Sequence, residues 1–393
     1  MKKISFLFLV VILLAIIGCQ KEDSTIVSNV SEDITLQKSG DIIDGQYIIV
    51  FNEKQSGLKS RGSGYQLNQN KITDQARELF QKSLVPQKQL KHVYASALEG
   101  FAVSLTKAEF IALSKNPGIK IYPDRFVMLA KPIPVPVQPP QSVPYGITRV
   151  GYDNYTGTHL AWIIDTGIDL NHPDLNVNTT LAKTFVTRTT TAEDDNGHGT
   201  HCAGIVAAKN NTIGVIGVAS NAFVVPVKVL DKRGSGALST IIAGIDYVAA
   251  NSTAGDAANL SLGGGAYDPI DQAVINLGLG GVFVAMAAGN ESDDANNHSP
   301  ARANGLNLYT VSACDVNDNW ATFSNYGNPP IDFCAPGVSV YSTYKGDAYT
   351  TMSGTSMAAP HVCGLLLLTN GNLQVDGYVN GDPDGNPDPI AHK

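Results

Sequence analysis

Between about residues 145 and 370, β-branched runs alternate with helical patterns. Runs 160–164, 224–229, 282–285, 308–312 and 331–334 are separated by patterns such as 200–209 and 238–250. Parallel strands need crossover helices, and those helices cover both faces of the sheet. The alternation therefore predicts an α/β fold with a central, mostly parallel sheet between helical layers. No internal repeat is present. At 393 residues the chain is long enough for about two or three domains and for a core that folds without staples. Hydrophobic residues at 43% and charged residues at 16% exclude a wholly disordered chain and a coiled coil. The 38 glycines follow no triplet period, which excludes collagen. A net charge of −8 gives no basic footprint, so no nucleic-acid partner is expected.

A different pattern precedes this segment. Residues 46–51 (QYIIVF) read as a strand, and 72–85 carries helical spacing through Ile72, Ala76, Leu79, Phe80 and Leu84. Residues 93–105 read as a strand or hairpin. Residues 106–114 read as a helix capped by Thr106 with Glu109 three positions on, and 119–128 as a last strand. The order β-α-β-β-α-β predicts a small ferredoxin-like α+β unit over 41–130. Pro132, Pro134, Pro136, Pro139, Pro140 and Pro144 then exclude helix and central strand, so 131–143 reads as an exposed linker between domains.

The N-terminus reads as a targeting signal. Lys2 and Lys3 precede a run from Ile4 to Ile17 that is apolar but for Ser5, short of the roughly 20 residues that span a bilayer. It ends in Ile16-Ile17-Gly18-Cys19, which resembles a bacterial lipobox. That resemblance implies removal of 1–18, acylation of Cys19, a polar tether over 19–40 and a membrane contact through the lipid. The expected location is the bacterial cell envelope, as an outer-membrane or surface lipoprotein, with release of the mature catalytic domain as a further outcome.

Three segments carry chemistry. Ala161-Trp162-Ile163-Ile164-Asp165-Thr166-Gly167 ends an apolar strand in a carboxylate, where a parallel sheet meets its ligands. Asn196-Gly197-His198-Gly199-Thr200-His201-Cys202 places His198 at a helix start between glycines, as suits a general base. The His198/His201 spacing lacks the acidic zinc pattern. Gly354-Thr355-Ser356-Met357-Ala358-Ala359-Pro360-His361 surrounds Ser356 with small residues ahead of an apolar helix. A serine becomes a nucleophile when a base takes its proton and a carboxylate orients that base.

Asp165, His198 and Ser356 supply those roles in that chain order. On all three motifs, residues 141–370 resemble the subtilisin-family serine proteases, between the subtilisins and proteinase K. No member of the triad is missing, which disfavours a silent peptide-binding protein that keeps the fold. A GxSxG elbow is absent at Ser356, which disfavours an α/β-hydrolase.

The resemblance implies the rest of the machine: a serine endopeptidase with a subtilisin-like three-layer fold over 144–370, acting on polypeptides. Asn290, in Ala287-Ala288-Gly289-Asn290, would donate to the oxyanion together with the Ser356 N–H. Gly234-Ser235-Gly236 and Ser261-Leu262-Gly263 would be the two edges of a peptide groove, with a first pocket reaching Ala288 and Gly289. Structural calcium would be held by Gln141, Asp174, Asn211 and the carbonyls of Lys209, Ile213 and Val215, all oxygen donors. No organic cofactor is implied. The 41–130 unit resembles an inhibitor-type propeptide whose last strand lies in the groove like a product, making the chain a self-processing zymogen and, we expect, a monomer. Four cysteines remain beyond Cys19. Cys202 falls one turn after His198 and Cys363 in the Ser356 helix, while Cys314 and Cys334 end neighbouring runs and are candidates for a bridge. Relatives continue further past the serine. Here 371–393 is short of apolar residues and reads as an irregular polar tail, whose run 382–388 resembles calcium loops and equally suits acidic turns.

Overall fold

The computed structural model describes residues 39–52, 64–129 and 138–393, all within one compact unit, Gln37–Lys393. The signal segment, Cys19 and nearly all of the tether lie outside the described residues, as does most of the proline linker. No helix among the described residues is long and apolar enough to cross a membrane.

A ten-stranded sheet forms the frame. Its order is Gln374–Tyr378, Pro389–His392, Ile331–Pro336, Leu308–Cys314, Phe283–Ala287, Ala257–Leu260, Ala161–Asp165, Phe223–Lys228 and Asn176–Val177, with Lys183–Thr184 also beside Phe223–Lys228. Every pairing is parallel except that of Gln374–Tyr378 with Pro389–His392. Alternate side chains of each strand enter different cores, which makes three layers. Ala161 and Ile163, with Ala285 and Ala287, face helices His198–Ala207 and Thr355–Thr369. Trp162 and Ile164, with Val284 and Met286, face helices Leu238–Asn251 and Asp268–Leu279. Both faces are apolar, so the strands read as continuous hydrophobic runs.

The N-terminal unit is a four-stranded antiparallel sheet in the order Ile119–Met128, Ile42–Phe51, Gly100–Ser104, His92–Tyr94, with helices Gly64–Lys82 and Lys107–Leu113. The ferredoxin-like order is as expected, and Thr106 and Glu109 form the reciprocal capping box. The first helix buries Ile72, Ala76, Leu79 and Phe80 as the spacing requires. Leu84 lies past its end in a left-handed conformation (φ 55°) and is exposed.

Two expectations need correction. The segment 371–393 is not an irregular tail: Gln374–Tyr378 and Pro389–His392 form a strand pair, and Ile390 pairs with Cys334 to extend the central sheet. Its few apolar residues suffice because one short strand, with Ile390 and Ala391 fully buried, does the closing. Cys314 and Cys334 are free and buried. Register explains why: Cys314 stands opposite Pro336 and Cys334 opposite Ser312, so the cysteines are diagonal rather than facing.

Candidate active site

Asp165 ends its strand at the carboxyl edge of the sheet and is fully buried. His198 is the first residue of its helix, behind Gly197 at φ 114°. Its Nδ1 lies 2.9 Å from both Asp165 oxygens. Gly199 makes this approach possible, because a Cβ there would collide with the Gly167 carbonyl and crowd Asp165. Asp194 braces the turn: it accepts the Thr166 hydroxyl at 2.9 Å, the Gly197 N–H at 2.8 Å and the Thr200 hydroxyl at 2.6 Å. Burial is the largest single influence on the His198 pKa and lowers it, but its neighbours, Asp165 first among them, together outweigh burial and hold the pKa well above its ordinary value.

Ser356 is the second residue of helix Thr355–Thr369, where main-chain N–H groups have no intrahelical acceptor. Its hydroxyl donates to the Ser261 carbonyl at 3.2 Å, not to His198, and the Ser261 hydroxyl donates to the Ser356 carbonyl at 2.7 Å. Cys202 packs between base and serine, with Sγ 3.9 Å from His198 Nδ1 and 3.5 Å from the Ser356 carbonyl. Burial pushes its thiol pKa up, so it stays protonated and unreactive.

Asn290 stands beside the serine turn. Its Oδ1 accepts the Thr355 N–H at 2.8 Å and the Thr355 hydroxyl at 3.0 Å. A main-chain N–H can only donate, so the amide orientation is fixed and the Asn290 NH₂ is left free to donate elsewhere. Ala288 and Gly289 serve this placement. Ala288 is buried with its carbonyl on Asn325, and the Gly289 N–H meets the Thr355 hydroxyl at 3.1 Å.

The groove is filled from within the chain. Strand Ile119–Met128 pairs antiparallel with Ser235–Ala237: Met128 opposite Ser235, Val127 opposite Gly236, Phe126 opposite Ala237. The Leu129 N–H then meets the Gly234 carbonyl at 2.8 Å. A Cβ on Gly264 would touch Val127 from the other side. Ser261 is tied to Ser356, Leu262 is buried, and Gly263 packs near the Ser299 carbonyl. Ala130, the next residue of the incoming strand, lies outside the described residues.

Sequence reasoning missed the anchors of this docking. Asp246, buried in helix Leu238–Asn251, accepts the N–H groups of Ala95, Ser96 and Ala97 at 2.6–3.0 Å and the Tyr65 hydroxyl at 2.7 Å. Asp124 in the incoming strand returns the favour, capping the same helix at the Ser239 N–H (3.0 Å) and hydroxyl. A lone acid in the apolar stretch 238–250 was the available signal for Asp246. Thr355 and Asp194 stood within or beside the quoted motifs, but nothing in the sequence says which atoms they hold.

The six oxygen-bearing positions taken for calcium also meet. Pro140 and Ser142 bridge to Ile213 and Val215, the Gln141 amide reaches the Lys209 carbonyl at 2.9 Å, and the Asn211 amide reaches Asp174 at 2.7 Å. The Thr212 and Gly214 carbonyls accept the Gln141 and Ser142 N–H groups, whereas the Ile213 and Val215 carbonyls are not used in this pairing. Among the described residues those two carbonyls accept no hydrogen bond. Asp174 is fully buried, and burial pushes its pKa up to about 6. A buried carboxylate with unpartnered carbonyls suits a hard cation.

Comparisons with known proteins agree with this architecture. Residues 158–374 match the subtilase family (Peptidase S8), and residues 46–130 match peptidase inhibitor I9. The chain is 38% identical over 313 residues to the alkaline serine protease ver112 of Corniculantispora psalliotae, covering 75% of this chain and 78% of the relative. It is 42% identical over 238 residues to subtilisin DY of Bacillus licheniformis, covering 58% of this chain and 84% of that one. Among solved structures, a cold-adapted subtilisin-like serine proteinase superposes with a TM-score of 0.56 at 33% identity, covering 63% of this chain and 97% of that one. A three-layer domain with its groove held by an I9 unit is thus a protease carrying its own inhibitor: the chain belongs to the subtilase family, a serine endopeptidase made as a zymogen.

Proposed function

We propose that Asp165, His198 and Ser356 form the catalytic triad of a self-processing endopeptidase. The observation that carries this is the His198 ring, held at 2.9 Å from both Asp165 oxygens with Nε2 left to face a nucleophile. On this reading the Ser356 hydroxyl leaves the Ser261 carbonyl and turns to His198 Nε2. The serine oxygen then attacks the peptide carbonyl while His198 takes its proton. The Asn290 NH₂ and the Ser356 N–H hold the oxyanion. His198 returns the proton to the leaving amine, and water hydrolyses the acyl-enzyme by the same route.

Residues 41–130 are the propeptide, 131–143 the maturation region and 144–370 the catalytic domain, which the closing strand of 371–393 completes. Polypeptides lie along Gly234–Ser235–Gly236 as the propeptide strand does, with Ser261, Leu262 and Gly263 as the facing edge and Ala288 and Gly289 beneath the first side chain. Gln141, Asp174, Lys209, Asn211, Ile213 and Val215 hold a structural calcium ion, which braces the N-terminus of the mature domain. Residues 1–18 export the chain and are removed, leaving a lipoprotein acylated at Cys19.

A fluorophosphonate probe on the chain lacking 1–18, followed by peptide mass spectrometry, tests the reading. The expected adduct is on Ser356, absent in Ser356→Ala and confined to a fragment starting between residues 130 and 141. A folded, separated catalytic domain that takes no adduct overturns it.

A further inference from the structure

The run Asp382-Pro383-Asp384-Gly385-Asn386-Pro387-Asp388 places an oxygen-bearing side chain at every second position. It carries the chain from the edge strand Gln374–Tyr378 into Pro389–His392, which closes the central sheet. It winds about Asp382, whose carboxylate accepts the N–H groups of Asp384 and Asp388, each at 3.3 Å, while the Asn386 N–H meets Asp384 at 2.8 Å. Those bonds alone describe an acidic turn.

The state of Asp388 goes further. Its side chain is fully buried. Oδ2 accepts the Ser312 hydroxyl at 2.5 Å, but Oδ1, sealed from water, has no hydrogen-bond partner. The Asn328 side chain faces the same carboxylate from a separate loop, and its Oδ1 is also buried without a partner. Asp382 and Asp384 add negative charge alongside. Among the described residues none of the three carboxylates pairs with a Lys or Arg. Arg149, which reaches strand Gln374–Tyr378, is taken by Asp318 and Asp376.

A buried carboxylate without a counter-charge is costly, so a proton or a cation must sit there. A proton on Oδ1 would neutralise Asp388, yet leave Asp382 and Asp384 uncompensated. A hard divalent cation answers all of them, since every group present is an oxygen donor and the alternate spacing is that of a calcium loop. We propose that Asp382, Asp384, Asn386 and Asp388, with Asn328 from the facing loop, form a calcium site that pins the C-terminal strand to the sheet. The site shares no residue with the Gln141–Val215 set. The three carboxylates stand farther apart than ligands of a closed site, so binding draws the exposed Asp384 and half-buried Asp382 onto Asp388.

The test uses the full chain carrying Ser356→Ala to prevent self-digestion, treated with chelator and titrated with calcium chloride by calorimetry. Terbium luminescence is read in parallel, with Trp320 as sensitiser because it packs against Val379 and Ile390. Two ions should bind. Asp384→Asn, at an exposed position, should leave one and remove the terbium emission, whereas Asp174→Asn should leave that emission intact. Calcium at about 100 times its Kd should raise the Tm by about 5 °C through the tail site, an increment that Asp384→Asn should lose. Unchanged stoichiometry and emission in Asp384→Asn overturn the proposal. So does a parent chain whose stability does not respond to calcium, because a proton then fills the place.

Discussion

The Asp246 carboxylate, inside a helix of the catalytic domain, accepts the main-chain N–H of Ala97 in the propeptide at 2.6 Å. With Ala95, Ser96 and Tyr65 on the same carboxylate, one side chain gathers four donors from the inhibitor unit. Hydrogen bonds to a charged group contribute about 1.5–3 kcal/mol each, and an amide at this place turns an N–H toward N–H donors. Asp246→Asn should therefore weaken retention of the cleaved propeptide by about 10–100-fold. In a fluorogenic peptide assay, activity should appear earlier after self-cleavage, with kcat unchanged once the propeptide is gone.

His198 must be neutral to take the serine proton. Burial lowers its pKa, and Asp165 together with its other neighbours raises it by more, leaving it well above the ordinary value. The sign follows: kcat/KM should fall as pH drops through this raised pKa, with the acid limb above pH 6.5. Asp165→Asn removes the opposing charge, so burial prevails and the limb should move to lower pH while kcat falls by about 10⁴. A pH–rate profile of both enzymes checks the pair of shifts.

Asn290 is held by Thr355 through two bonds on the same oxygen. Asn290→Ala should lower kcat by about 10²–10³ with little change in KM, as for the corresponding donor of subtilisin. Thr355→Val keeps the N–H bond but loses the hydroxyl bonds to Asn290 and Gly289, so a loss of about 10-fold in kcat is expected. Steady-state kinetics separates the donor from its support by the size of the fall.

His201 and His361 are buried neutral, with pKa values lowered by burial to about 3 and about 4. In the unfolded chain both titrate near 6.5, so below that pH the unfolded state binds more protons than the native one. The contribution of these two histidines to stability should be level above pH 6.5 and fall as pH drops toward 4, by about 3 kcal/mol for His361. Denaturant melts of the Ser356→Ala chain against pH should show the slope. His361→Gln should reduce it.

The sequence by itself determined the local facts. Apolar runs that continue through both parities required strands covered on both faces, and Trp162 and Ile163 do enter opposite cores. Thr106 and Glu109 set a helix start, because a capping box needs only three residues of spacing. The three motifs around Asp165, His198 and Ser356 named the chemistry, since each needs its own small neighbours for close approach. Tertiary structure decided whatever depends on residues far apart in the chain. Asp246 meets Ala95–Ala97 across about 150 positions, a pairing no local pattern encodes. Residues 371–393 read as polar tail because a closing strand needs only Ile390 and Ala391 buried, and the rest of its stability comes from a sheet edge built elsewhere. The Ser356 hydroxyl was legible as a nucleophile, but its bond to Ser261 was not. A hydroxyl rotates to whichever acceptor the fold brings within reach, and only the folded chain fixes which one that is.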